Sequence, residues 1–344
     1  MNKIQKFSTS RRGYGGNVYE RYVDRVLSKH FRHEPIDLSF HLKGWFRLIE
    51  FPVYVLRLLL TSLFPNGFLI RNFQTSFLPL KKKHGLTIVF HIDETLSPLA
   101  SRIFQRGVER LFFLFARKSD PIVVISKYWK KYFEDRGFTD VHLIYCPYEL
   151  ELYEISDEEI EDFKRRFGLG DKPMVYIGNP QPKKGTHLAY EALKNEGYEL
   201  ITSGEGPLDL PVKNLKLDFK DYIRLLAACD VVVTFSQFKE GWCRVAHESV
   251  LVGTPVVGSG EGGMEEILTH TDQTLCPNQE ILAQHVRQCL DKGHVPPEAI
   301  EWARSFTMES FERDWTRLLL KMAPDTGKST SDAASQVSLQ SLEH

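Results

Sequence analysis

The sequence predicts an α/β protein built from two parallel-sheet domains, and three observations carry that reading. Short, wholly apolar runs such as MVYIG (174–178), DVVVTFS (230–236) and TPVVGS (254–259) alternate with segments of helical period. A strand that is apolar on both faces is buried on both faces, which is the condition of a parallel sheet covered by helices on either side. The chain has 344 residues, enough for two domains. An acidic segment, ISDEEIEDFKRRFGLGDK (155–172), separates a legible second half from a less legible first half.

In the first half, KIQKFS is a poor first strand, followed by a Gly-rich loop at 11–16 and a helical pattern at 18–29. FLIRNF (68–73), LTIVFHI (86–92) and PIVVIS (121–126) read as strands. Residues 45–64, WFRLIEFPVYVLRLLLTSLF, carry Arg47, Glu50, Pro52 and Arg57. Charges in mid-segment predict a buried or interfacial helix, not a membrane span. In the second half, strands are expected at 174–178, 198–204, 230–236 and 254–259. Helices are expected at 186–195, 221–229 and 245–252, with another opening at Met264. FTMESFERDWTRLLLKM (306–322) has the pattern of an amphipathic helix. The domains are therefore placed at 1–150 and 173–305, with a linker at 151–172, a terminal helix at 306–322 and a disordered tail at 323–344.

Composition excludes some functions. Forty-four basic residues balance 45 acidic ones, so no global positive field invites a nucleic acid. The five cysteines form no Cys-x-x-Cys pair and no zinc-type cluster, which suits reduced thiols in the cytoplasm. The N-terminus lacks the apolar stretch of a signal peptide. No Asp-x-Asp motif stands in a suitable loop, and no metal is expected. RIFQRGVERLFFLFARK (102–118) interleaves aromatics with arginines. Together with 45–64 it makes a candidate membrane-facing patch, the alternative being that Phe112, Phe113 and Phe115 are ordinary core.

Ligands bind a doubly wound sheet at the carboxyl ends of its strands. Four loops of the second half fall there: 178–185, 204–207, 239–244 leading to Glu248, and 260–263. Gly262-Gly263 before a helix exposes backbone N–H groups suited to phosphate or sugar hydroxyls. Lys184 opens another helix, where an ammonium can neutralise a diphosphate. Glu240 and Glu248, separated by seven residues, can each accept paired hydrogen bonds from a diol. Each feature alone also has an ordinary reading as a tight turn, a solvated lysine or a dipole-favoured glutamate. Their joint placement at one sheet edge favours function.

The run EGWCRVAHESVLVGTPVVGSGEGGMEEIL (240–268) resembles the donor-site signature of retaining glycosyltransferases of family 4, which have the GT-B fold of two Rossmann-like domains facing across a cleft. GNPQPKKG, SGEGP and RRGYGGNVYERYV resemble the family's phosphate loop, Gly-x-Gly-Pro turn and N-terminal Gly-Gly loop. The resemblance implies that Glu240 binds hydroxyls of the donor sugar, Glu248 the ribose, and Lys184 the departing diphosphate. It implies donor contacts from Gly262, Gly263 and Met264, from Gly204 and Gly241, and from Gly15 and Gly16 across the cleft. His91 matches a family histidine near the reacting sugar, and the last helix is expected to cross back to the first domain. The family's phosphate-loop arginine is Asn179 here, and its Gly-Phe-Gly is Gly241-Trp242-Cys243. Arg244, Lys183, Arg11 or Arg12 is the expected source of the missing charge. The implied reaction moves a sugar, with retention, from a UDP- or GDP-sugar to a hydroxyl of a glycan, glycolipid or other acceptor, in the cytoplasm or on the inner face of the membrane, with no cofactor beyond the nucleotide sugar. A sugar-nucleotide epimerase, a phosphorylase and a non-catalytic nucleotide-sugar-binding subunit are the alternatives.

Overall fold

The computed structural model describes residues 3–8, 15–38, 47–77, 85–92 and 99–326. The first sheet comprises β1 (Ile4–Ser8), β2 (His33–Asp37), β3 (Phe68–Asn72), β4 (Gly85–Val89), β5 (Ile122–Val124) and β6 (Val141–Leu143), with helices α1 (Gly15–His30), α2 (Arg47–Leu63), α3 (Leu99–Phe115) and α4 (Lys127–Glu134). After α5 (Asp157–Phe167), the second sheet comprises β7 (Met174–Tyr176), β8 (Glu199–Ser203), β9 (Lys213–Leu215), β10 (Val231–Thr234), β11 (Val256–Gly258) and β12 (Thr274–Leu275). Its helices are α6 (Thr186–Leu193), α7 (Phe219–Ala228), α8 (Arg244–Leu251), α9 (Gly263–His270), α10 (Leu282–Lys292), α11 (Pro297–Arg304) and α12 (Met308–Met322). The strand orders are β2-β1-β3-β4-β5-β6 and β12-β11-β10-β7-β8-β9. All pairings in both sheets are parallel, so the expected α/β class and twin parallel sheets are present.

Local chemistry sets the elements. α5 opens with a reciprocal capping box between Ser156 and Glu159 and closes on Gly168 in the left-handed region. Lys6, which spoils the apolar pattern of β1, is buried and paired with Asp24 at 3.0 Å and Glu20 at 3.6 Å, both on α1. One face of the first sheet is covered by α1, through Tyr19, Val23 and Leu27 against Ile4, Ile70 and Ile88. The opposite face is covered by α2, α3 and α4. Among the described residues no helix is long and apolar enough to cross a membrane.

The chain passes between the sheets twice, and the passages are bonded to each other: Tyr148 N donates to Phe306 O at 2.9 Å. α12 then returns to α1. Trp315 Nε1 donates to Tyr19 Oη at 3.2 Å, Tyr19 Oη donates to Ile144 O at 3.0 Å, and Glu312 lies 2.6 Å from Lys29 and 2.5 Å from His30. Trp315 is wholly buried. Trp315→Ala is expected to cost about 3–5 kcal/mol in urea denaturation, the price of a large aromatic cavity plus the loss of the bond that the Tyr19 hydroxyl accepts.

At the passages, His247 stacks on Tyr148 with ring centroids 4.1 Å apart and meets Ala303 O at 2.9 Å. Burial holds its imidazole neutral and lowers its pKa to about 3. The unfolded chain binds a proton there near pH 6.5 while the folded chain does not, so stability falls as the pH drops between those two values. A His247→Gln variant is expected to show a shallower decline over that window, by a few kcal/mol at most. An unchanged slope in pH-dependent urea melts would exclude His247 as the source.

Two boundaries differ from the sequence reading. Gly15 and Gly16 open α1 instead of standing in a loop, while Arg11 and Arg12 lie outside the described residues. The expected tail starts later than 323: Thr326 is buried and its carbonyl accepts from Arg32 N at 3.1 Å, so backbone pairing holds this turn. Residues 327–344 lie outside the described residues. Phe112 is core and Phe113 packs against it, whereas Phe115 is exposed.

Candidate functional site

The four glycine-bearing loops meet at the carboxyl edge of the second sheet. After β7, residues 182–184 form a 3₁₀ turn that ends at Gly185 before α6. A Cβ on Gly185 would lie 2.0 Å from Phe235 O, so only glycine lets this loop sit on the end of β10. Gln237 N donates to Lys183 O at 2.8 Å across the same contact. Asn179 turns its carbonyl toward Thr186 Oγ1, 2.5 Å away, which ties the loop to α6. Gly204, in the next loop, accepts at its carbonyl from Asn214 Nδ2 at 3.1 Å.

Lys184 and Glu240 come together here. The ammonium lies 2.6 Å from Glu240 Oε1, and Ser236 Oγ donates to the same oxygen at 2.5 Å. Lys183 and Lys184 both stand over the ring of Phe238, at 5.2 and 5.0 Å. His91, at the end of β4 in the first domain, reaches the same ring with centroids 5.5 Å apart. Three predicted residues thus converge on Phe238, which the sequence reading passed over.

The Glu240 segment is held from two sides. Gly263 N donates to Glu240 O at 2.8 Å, and Glu240 N donates to Glu261 O at 3.1 Å. From the first domain, Trp129 Nε1 also donates to Glu240 O at 2.9 Å. A Cβ on Gly241 would lie 2.3 Å from Phe90 O. Met264 is fully buried, with its sulfur accepting from Thr234 Oγ1 at 3.4 Å, so only its main chain is available to a ligand.

Glu248 is buried in a polar cage. Arg244 donates to its Oε1 from Nε at 3.1 Å and Nη2 at 2.8 Å, Tyr222 donates to its Oε2 at 3.2 Å, and Tyr153 Oη lies 3.4 Å from its Oε1. Burial and then the Glu248 charge push both phenols above their ordinary pKa. Arg244 also donates to Cys146 Sγ at 2.9 Å and stacks over Tyr148 at 4.7 Å. Its charge is therefore neutralised by Glu248, which argues against the expectation that it supplies the missing diphosphate charge and leaves Lys183 and Lys184 as the described candidates.

A second bond set crosses the domains. Glu266 accepts from Lys127 N at 2.8 Å and Tyr145 Oη at 2.5 Å, and lies 3.3 Å from Lys127 Nζ. It thereby satisfies the first turn of α4 from the other domain. Trp129, Tyr153 and Tyr222 escaped the sequence reading, and Glu266 stood in the 240–268 run without a role of its own, because their partners lie on distant segments. Nearby, a cavity of about 310 Å³ opens between the two chain passages, lined by Tyr145, Cys146, Trp302, Phe306 and neighbours. None of the four glycine loops lines it.

Comparison with known proteins bears on this arrangement. Residues 157–306 match the family model "Glycosyl transferases group 1". An uncharacterized glycosyltransferase of Methanocaldococcus jannaschii is 27% identical over 195 residues, covering 48% of this chain and 48% of its own. The chain spans between about a third and a half of the length of the curated relatives it matches. Among solved structures, Anabaena HepE in complex with UDP-glucose superposes with TM-score 0.71 at 20% identity, covering 93% of this chain and 99% of that one. Sucrose-phosphate synthase from Thermosynechococcus elongatus gives 0.70 at 16% identity, covering 94% and 99%. Likeness across both domains establishes the GT-B fold that the motifs led us to expect.

Proposed function

We propose that this chain is a glycosyltransferase that takes a sugar from a nucleotide-sugar donor and passes it to a hydroxyl acceptor with retention of configuration. The observation that carries the reading is the Lys184–Glu240 pair, 2.6 Å apart, beneath the Gly262-Gly263 turn and facing His91 across Phe238. Lys184 takes the diphosphate, which releases Glu240 to the hydroxyls of the sugar. Glu248 serves the ribose, and the amides at the start of α9 complete the anion site. As the bond from the anomeric carbon to the phosphate oxygen breaks, the acceptor oxygen bonds to that carbon on the same face. The acceptor proton passes to the departing phosphate oxygen, leaving a nucleoside diphosphate. The protein's contribution is position and charge, so it needs no separate base and no metal. A uridine donor is the first to try, given the UDP-glucose complex of the HepE neighbour. Glycan or glycolipid acceptors, cytoplasmic or at the inner membrane face, suit the reading.

A thermal-shift panel of UDP, GDP, ADP, CMP and their sugar conjugates tests it. One family of nucleotides is expected to raise the melting temperature by a few degrees at saturation. The sugar conjugate should shift it further than the bare diphosphate, and Glu240→Gln should remove only that surplus. If no nucleotide shifts the protein, the donor-site reading fails.

A further inference from the structure

Helices α2 and α3 each bury one face and leave the opposite face apolar as well. On α2, Leu58 packs inward with Phe7 and Leu69. On α3, Val108 and Phe112 pack inward with Val89, Ile122 and Val124. Phe77 touches both groups, so the two helices stand side by side on one face of the first sheet. Outward, α2 shows Ile49, Val53, Leu56 and Leu60, continued by Phe64, with exposures of 62, 58, 54, 51 and 72%. Their spacing of three and four residues draws one line along the helix. α3 adds Ile103, Phe104, Leu114 and Phe115, with Leu114 71% exposed. A helix apolar all round is normally buried in something, and adjoining apolar stripes of this kind mark an interaction surface.

The charges on these helices identify the occupant. Exposed Arg57, Arg106 and Arg110 stand beside the stripes. The two helices carry five arginines (47, 57, 102, 106 and 110) against Glu50 and Glu109, in a chain whose net charge is −1. We propose that the outer face of α2 and α3 docks on an anionic lipid bilayer, the apolar line entering the headgroup boundary and the arginines meeting lipid phosphates. Neither helix spans; both lie in the interface plane. This goes beyond the donor-site reading and does not depend on it.

Co-sedimentation of the full chain with vesicles tests the proposal, using phosphatidylcholine alone and an equal mixture with phosphatidylglycerol. The chain should pellet with the mixed vesicles at low salt, less at high salt, and weakly with phosphatidylcholine. Each exposed arginine near an anionic surface is worth about fivefold in partitioning, so Arg106→Gln with Arg110→Gln should weaken binding by more than about tenfold. Leu56→Glu with Leu60→Glu should abolish it while the far-UV circular dichroism stays unchanged, because both side chains are exposed. No pelleting on mixed vesicles at low salt overturns the proposal. So does a dimer in solution that the same leucine variants convert to monomer, since a second copy is then the occupant.

Discussion

A Lys184→Ala variant is expected to release nucleoside diphosphate from its donor sugar about 10²–10³-fold more slowly than the parent chain, the range seen when one preorganised charge is removed from a developing anion. The side chain sits where such a loss would show. Its ammonium is 2.6 Å from Glu240 and 5.0 Å from the centre of the Phe238 ring. Removing it subtracts a cation from the leaving group. It also leaves the Glu240 carboxylate with Ser236 Oγ as its remaining side-chain donor among the described residues. Two further variants separate charge from packing. Lys184→Met keeps an unbranched apolar stem without the charge and should be as slow as alanine. Lys184→Arg keeps the charge and should recover to within about tenfold, since guanidinium geometry differs from ammonium. The readout is the initial rate of diphosphate release from whichever conjugate gives the largest thermal shift. If alanine stays within threefold of the parent, the diphosphate is not on Lys184, and Lys183 becomes the candidate.

The obvious companion experiment at Glu248 has a confounding cost. Arg244 is largely buried, and Glu248 is the carboxylate that neutralises it. Glu248→Ala strands that charge, at about 3–5 kcal/mol. Lost nucleotide binding in that variant alone cannot be told from partial unfolding. Glu248→Ala combined with Arg244→Met removes both charges. It should melt closer to the parent, yet still lose the nucleotide shift if Glu248 holds the ribose.

What the sequence revealed and what it hid follow one physical rule. The eight strands read from the chain are those at the centres of the two sheets. The four it missed, β2, β6, β9 and β12, are the four edges. Central strands are covered on both faces and, apart from β1 with its buried Lys6, read as largely apolar runs. Edge strands here are two to five residues long and include half-buried or exposed positions, such as KNL and HEPID. The candidate site divides the same way. Residues held by their own loop, such as Lys184, Glu240 and Gly263, were marked by local motifs. Residues that act across the domains left no local trace: Trp129 lies 111 positions from Glu240, and Tyr145 lies 121 from Glu266. Arg244 shows the limit from the other side, because a free-looking charge in sequence was already committed to Glu248 four residues on.

Gly263→Ala should damage the candidate donor site with a single methyl group. A Cβ there would lie 2.1 Å from Gly241 O, 2.9 Å from Gly241 C and 2.9 Å from Ser126 Cβ. The first two are main-chain atoms, so rotating a side chain relieves nothing. Gly241 cannot retreat, because its own Cα side faces Phe90 O, and Trp129 fixes the preceding carbonyl. The methyl group must therefore part the Glu240 loop from the start of α9, and it presses on Ser126 of the first domain as well. Parting the loop from α9 breaks the Gly263 N to Glu240 O bond and displaces the amides expected to hold the donor. Overpacking of this kind costs about 1–3 kcal/mol, occasionally more. The expected result is a lower melting point together with a nucleotide shift reduced to the noise. Gly253→Ala is the control. Gly253 has φ +81° but nothing within 4 Å of its Cβ position, so alanine brings backbone strain of about 1 kcal/mol without a collision. That variant should melt lower and still bind nucleotide normally. Should Gly263→Ala bind as the parent does, the close approach of these two loops is not what builds the donor site.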